Sequence, residues 1–217
     1  MTSTWTCGVL RSTGAPAPHE IIKLGGSLLV MPDWPTRVAE LVRDRAAIRP
    51  VLIVVGGGAI VDGLRAIDAA APQDAALVHE LAIGLMGTTA RLVADALAAP
   101  LLTEQAEASV AVLDVPRWLA RDGRLAGLPV GWDVTSDSIA ASIAAVMHAD
   151  LLLVKRVPPP DSAAADQLES LARSGWIDGH VPTVARDLAG IAWAAPTSVP
   201  KPAVGRPDVE RGDTGGR

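Results

Sequence analysis

Val51-Leu52-Ile53-Val54-Val55-Gly56-Gly57-Gly58-Ala59 is a β-branched apolar run that ends in three glycines and passes straight into helical spacing. A run this short and this apolar reads as a strand buried on both faces, hence a parallel one. The glycines let the backbone turn and approach a ligand with no Cβ in the way. A helix that starts at such a turn aims N–H groups and its dipole at whatever sits there, and favours an anion. The loop lacks the Gly-Lys-Ser/Thr ending of a P-loop and the Gly-x-Gly-x-x-Gly spacing of a dinucleotide fold. The competing reading is a plain flexible strand–helix turn.

Outward from this stretch, strands and helices alternate. Upstream, His19–Leu24 reads as a short strand running into Gly25-Gly26-Ser27. Trp34–Arg49 has helical spacing with Val38, Leu41 and Val42 on one face, and Asp33 with Pro35 suits its start. Downstream, Ala59–Ala70, His79–Ala98, Ser136–His148, Ala164–Ser174 and Thr183–Leu188 read as helices. Ser109–Leu113, Leu128–Val130, Leu151–Val154 and Ile191–Ala194 read as strands. The expected fold class is α/β, a three-layer αβα sandwich with a mostly parallel central sheet. Residues 1–18 show no periodicity and are expected as a disordered N-terminal tail. Residues 19–196 form the expected domain, and the Pro- and Gly-containing residues 197–217 an expected disordered C-terminal tail.

Composition narrows the function classes. A net charge of −5 with no basic run argues against nucleic acid as a partner. No stretch reads as an uninterrupted apolar span of membrane length, and the first twenty residues lack the layout of a signal peptide. The one cysteine, Cys7, cannot form an internal disulfide. The expectation is a cytoplasmic protein without a membrane partner. The chain has three lysines against sixteen arginines, so a lysine at a special place asks why arginine would not serve.

Two of those lysines stand where chemistry is expected. In open α/β sheets ligands bind outside the carboxyl ends of the strands. Lys23 sits at such an end, followed by Gly25 and Gly26, whose backbone can approach an anion while the ammonium reaches phosphate oxygens. Lys155 closes the run Leu151–Val154 in the same manner. Each also has a bland reading, a lysine that terminates a strand. Trp132-Asp133-Val134-Thr135-Ser136-Asp137-Ser138 precedes an alanine-rich helix. There Asp137 is either a dipole partner in the first turn, with Thr135 or Ser136 as cap, or an organiser of the phosphate-binding lysine. On the organiser reading, Asp137→Asn removes turnover and leaves the melting temperature nearly unchanged.

These segments resemble the amino-acid-kinase superfamily, which includes acetylglutamate, aspartate, uridylate and isopentenyl-phosphate kinases. Ile21–Leu28 is similar to its first nucleotide-phosphate loop, and Val54–Ala59 to the second loop, which cradles the acceptor and the transferred phosphate. Thr135-Ser136-Asp137 is similar to its Thr/Asn-x-Asp element. Within the superfamily the chain is similar to the kinases of methanofuran biosynthesis, which phosphorylate [5-(aminomethyl)furan-3-yl]methyl phosphate. Gly56–Gly58 with Leu64–Asp68, His79–Ile83, Trp132–Ser138, and Ile177-Asp178 with Pro182 carry that likeness. Two departures stand out. Lys155-Arg156-Val157 and Pro158–Pro160 replace a common Asp-Val-Asp-Gly, and Gly175–His180 lacks the later lysine of acetylglutamate kinases.

The resemblance implies an ATP-dependent kinase using Mg2+, with in-line transfer by positioning and charge stabilisation. Lys23 and Asp137 would be catalytic. Lys23, Gly25, Gly26, Ser27, Thr135 and Lys155 would face ATP; Gly56, Gly57, Gly58, Arg65 and Asp133 the small phosphorylated acceptor. No protein-held metal site is expected. Relatives assemble as dimers or hexamers, so a homo-oligomer is expected, with His79–Ala98 as interface. The alternatives are a different acceptor (amino acid, nucleotide or isopentenyl phosphate) and a non-catalytic nucleotide- or oxyanion-binding protein.

Overall fold

The computed structural model describes residues 4–12, 14–104, 108–122, 128–160 and 167–197. In chain order the elements are β1 (Trp5–Ser12), β2 (Glu20–Leu24), α1 (Trp34–Ala46), β3 (Val51–Val55), α2 (Gly58–Ala70), α3 (Ala75–Ala96) and β4 (Leu101–Leu102). There follow β5 (Val110–Leu113), α4 (Val115–Asp122), α5 (Ser136–Val146), β6 (Asp150–Val154), α6 (Gln167–Arg173), α7 (Val181–Val184) and β7 (Gly190–Pro196). One sheet takes the seven strands in the order β1-β7-β6-β2-β3-β5-β4. Every pairing is parallel except that of β1 with β7.

Alternate residues of the central strands feed two cores. Ile21, Val54, Leu113, Leu151 and Leu153 pack with α5 and with Leu171, Trp176 and Val181. Ile22, Leu24, Ile53, Val55, Leu152 and Val154 pack on the other face with α1 and the second half of α3. This period-two division, with apolar residues on both faces, is the three-layer α/β sandwich expected from the strand composition.

Among the described residues one helix, α3, is long and apolar enough by length and composition to cross a membrane. Its Met86, Ala90, Val93 and Ala94 are buried in the cores of this domain, whereas Leu77, Leu81 and Leu92 stand about half exposed on its outer side.

The amino ends of β2 and β6 meet in a charged cluster. Arg45 donates to both oxygens of buried Glu20, one of them at 2.7 Å. Arg49 donates to Glu20 at 2.8 Å and also pairs with Asp150. Two guanidinium groups and two carboxylates thus neutralise one another, which is what burial of charge demands.

Several expectations are corrected. Residues 5–12 are not tail: they form β1, which places Trp5 in the core and donates its indole N–H to Arg37 O at 3.1 Å. A register shift between Val9 and Arg11 breaks the alternation that would have announced this strand. Leu128–Val130 is not a strand; the edge position belongs to the two-residue β4. Helix α4 was not foreseen, although Asp114-Val115-Pro116 repeats the Asp-x-Pro start of α1. Helix α3 starts a turn earlier than expected, because Asp74 caps it by accepting from the N–H groups of Ala76 and Leu77, each at 3.0 Å. Of the expected C-terminal tail, Thr197 donates its N–H to Thr4 O at 3.0 Å; residues 198–217 lie outside the described residues.

Candidate active site

Lys23 is in register with Val54 on one side and Leu153 on the other. Residues in register share a face of a sheet, and both neighbours belong to the core beneath α5. Lys23 therefore points to the α5 face, at the carboxyl end of β2. Lys155 lies two residues past Leu153 and shares that face. The first turn of α5 comes down between them carrying Asp137.

The three side chains meet. Lys23 Nζ is 2.7 Å from Asp137 Oδ1, and Lys155 Nζ is 2.5 Å from Oδ2. Asp137 is 3% exposed and Lys23 5%, so the carboxylate is shielded from water and bridges two ammonium groups. Burial is the largest influence on Asp137 and pushes its carboxyl up, but the two lysines together outweigh it and hold the pKa below the ordinary value. Lys155 is shifted down, first by burial and next by Lys23, against the opposing pull of Asp137. Two ammoniums and one carboxylate leave one positive charge in a nearly dry site. Such a surplus of positive charge can attract an anion, and both oxygens of Asp137 are already engaged by the lysines.

Thr135 holds the start of α5, its Oγ1 accepting from Asp137 N–H at 3.2 Å. Asp137 thus sits in a capped first turn and also pairs with both lysines.

The two glycine loops pack on each other. A Cβ at Gly26 would lie 2.3 Å from Gly56 O and 2.3 Å from Gly58 N, and one on Gly58 would lie 2.4 Å from Gly26 O. Gly58 also has φ +56°. Gly58→Ala is expected to cost about 1–2 kcal/mol for the left-handed backbone and about 1–3 kcal/mol for the clash. Urea unfolding measures it, with Gly63→Ala as control, since a Cβ there meets nothing within 4 Å. The expected role of Gly25 is revised: its N–H is taken by Val154 O at 2.8 Å, and Gly56 N–H by Leu24 O at 2.9 Å. These amides extend the sheet ladder and do not face a ligand.

Beside the cluster lies a cavity of about 230 Å³. Lys23, Lys155, Asp137, Thr135, Gly57 and Gly58 form its charged and backbone-lined end. Ile83, Met86, Val134 and Ile139 form an apolar wall. Arg65 stands at the rim with its guanidinium 4.9 Å from the Trp132 ring, and Trp132 donates its indole N–H to Asp68 at 2.8 Å. Of the expected residues, Gly25, Gly26, Ser27, Gly56 and Asp133 do not line this cavity, and Ser27 and Asp133 are exposed. Asp62 and His79 line it and were not anticipated. Both follow the second glycine loop on helical faces, a position that spacing alone leaves undirected.

The sequence pattern of the Amino acid kinase family matches residues 20–158, well over half the chain. The chain belongs to the amino acid kinase family. The match takes in both glycine loops, Asp137 and Lys155. Among solved structures the fold is similar to uridylate kinase from Archaeoglobus fulgidus (TM-score 0.57, 16% identity, covering 83% of this chain and 91% of that one). It is also similar to UMP kinase from Ureaplasma parvum (TM-score 0.57, 17% identity, 79% and 86% covered). Aspartate kinase from Synechocystis is matched over 82% of this chain but 40% of its own (TM-score 0.56, 16% identity). At such identities these likenesses speak for the amino-acid-kinase fold alone. A search of curated proteins finds no match.

Proposed function

We propose that this amino-acid-kinase-family protein is a cytoplasmic, ATP-dependent kinase that phosphorylates a small acceptor already bearing a phosphate, of the type [5-(aminomethyl)furan-3-yl]methyl phosphate in methanofuran-type cofactor synthesis. The observation that carries the reading is the Asp137 carboxylate bridging Lys23 and Lys155 at the charged end of the cavity.

The donor set fits a magnesium-nucleotide held through its phosphates. Lys23, Lys155 and the backbone of Gly57 and Gly58 face the cavity. Both Asp137 oxygens are occupied by lysines, and among the described residues no three metal-ligating side chains cluster. Mg2+ of the kind that keeps several waters suits such a site. When bound, ATP with Mg2+ supplies the phosphoryl group. Lys23 and Lys155 stabilise the charge that spreads over the transferred group's oxygens, and Asp137 fixes where the two ammoniums point. Lys155 thereby provides the second cation that acetylglutamate kinases draw from the segment reading Gly175–His180 here.

Asp137, doubly paired with the lysines, is not a free general base, and Asp62 and His79 are the titratable groups of the cavity outside the cluster. A hydroxyl acceptor needs such a base. A phosphate monoester does not, because its second pKa is about 6 and its oxygens are ionised at neutral pH. Lys23, Lys155 and Arg65 in the lining favour an acceptor that already carries a phosphate. Arg65 at the rim suits the acceptor's anionic group. Asp62, which lines the cavity as Asp133 does not, is the carboxylate for an acceptor ammonium, though it is exposed and lies 3.6 Å from Arg65. The half-exposed Leu77, Leu81 and Leu92 of α3 support a homo-oligomer.

The test is ADP release with magnesium-ATP and a panel of acceptors: the aminomethylfuran phosphate, UMP, isopentenyl phosphate, aspartate and acetylglutamate. Turnover confined to phosphorylated acceptors is expected. Turnover only with the amino acids, or nucleotide binding with no turnover on any acceptor, would sink the proposal. Arg65→Gln is expected to raise the acceptor KM roughly 10- to 100-fold with kcat within a few-fold, as loss of one charge-assisted contact does. Steady-state kinetics on that variant decide it.

A further inference from the structure

We propose that Asp178 is the positioning residue of this site, its carboxylate tying the Asp137-bearing end of α5 to the backbone segment that grips Lys155. The inference rests on the phosphotransfer reading above. One Asp178 oxygen accepts from Thr135 N–H at 2.9 Å, Thr135 Oγ1 at 2.7 Å and Ser138 N–H at 3.1 Å. The other accepts from Ser138 Oγ, His180 N–H at 3.1 Å and Val181 N–H at 3.2 Å. A helix cap ordinarily satisfies one or two N–H groups. Six donors on one carboxylate, drawn from two segments about forty residues apart, make a joint.

What the joint holds is the cluster. Two residues before Asp178, Trp176 O accepts from Lys155 Nζ at 2.5 Å, and the Trp176 ring lies 5.0 Å from the same nitrogen. The Trp176 indole N–H donates to Val157 O at 3.1 Å, closing the segment onto the end of β6. One short stretch, residues 176–178, therefore grips Lys155 at one end and α5 at the other. Lys155 and Asp137 arrive from separate elements, and this stretch sets their meeting.

The charge of Asp178 acts in the same direction as its hydrogen bonds. Burial and then Lys23 push the pKa of Lys155 down, while Asp137 and, more weakly, Asp178 hold it up. Removing the Asp178 charge shifts Lys155 further toward the neutral amine. A residue that held the backbone only through hydrogen bonds, with no charge near Lys155, would leave that titration alone.

The chain has only three lysines, so a sample labelled with ¹³C at lysine Cε gives a readable NMR titration, with the Lys155 signal assigned by its loss in Lys155→Met. In Asp178→Asn the Lys155 midpoint is expected at lower pH than in the parent. Turnover is expected to fall on the order of 10²-fold, with the nucleotide KM within a few-fold, as for misplaced reacting groups. Ser138→Ala, which removes a hydroxyl donor and keeps the carboxylate, is expected to leave the midpoint in place. An unchanged Lys155 midpoint in Asp178→Asn, or turnover within a few-fold of the parent, overturns the proposal. If Asp178→Asn fails to fold, amide exchange at residues 137–139 in a Thr135→Val/Ser138→Ala double variant decides: faster exchange than in the parent supports the tie, and equal exchange refutes it. The titration needs no catalysis. A parent protein without kinase activity therefore defeats the phosphotransfer reading while the hold of Asp178 on Lys155 is still measured.

Discussion

Lys23→Met is expected to lower kcat by about 10²–10³ while leaving the melting temperature unchanged or raised. The two effects part because of charge balance. The parent cluster holds two ammoniums against one carboxylate, all largely buried. Taking away Lys23 leaves a neutral Asp137–Lys155 pair and removes a neighbour that depresses the Lys155 pKa. Methionine fills much of the lysine's volume without a charge to desolvate, and replacing buried charge by an apolar isostere is often neutral or stabilising. On the proposed phosphotransfer reading, turnover has no such compensation, since there the ammonium stands where phosphoryl charge develops. Calorimetry and steady-state rates on one preparation decide it. A large fall in both would mean that Lys23 serves mainly to hold the fold.

Asp137→Asn is expected to fail on both counts. The sequence alone suggests that shape is kept and melting nearly unchanged. Burial reverses that expectation. The neutral amide leaves two ammoniums facing each other with no counter-charge, and removing one partner of a buried pair costs about 3–5 kcal/mol. Deprotonation of Lys155, whose pKa is already pushed down, relieves part of that and further disarms the site. Turnover is expected to fall by at least about 10²–10³. The check is a denaturant titration beside the rate, with the Lys155→Met/Asp137→Asn double variant for comparison. Only partial recovery of stability, since Lys23 still lacks its counter-charge, and no recovery of rate are the expected results there. An Asp137→Asn protein as stable as the parent would mean that the carboxylate does not counterbalance the lysines.

How far the sequence could be read follows from where each signal lies. The buried parallel strands were legible because β-branched runs and glycine stops are local. Lys23 and Lys155 were legible because lysine is scarce in this chain. Their convergence on one carboxylate was not. It depends on β2 and β6 being neighbours, although more than a hundred residues separate them. The glycine loops look like phosphate cradles in the sequence, yet part of their glycine requirement comes from each loop's backbone crowding the other. Asp178 carried a local signal as the start of α7, but the helix it also serves lies about forty residues upstream. Strand β1 was lost to an irregularity that scrambles its alternation.

The same two strands, β2 and β6, end in opposite electrostatic conditions. At their amino ends, Glu20, Arg45, Arg49 and Asp150 leave nothing over. At their carboxyl ends, the lysines outnumber the acid. Charge is balanced within the cluster at one pole, while at the other two lysines share Asp137, with Asp178 acting on Lys155 from farther off. On the proposed reading, a phosphate-bearing ligand bound there is expected to raise the stability of the sheet by mass action.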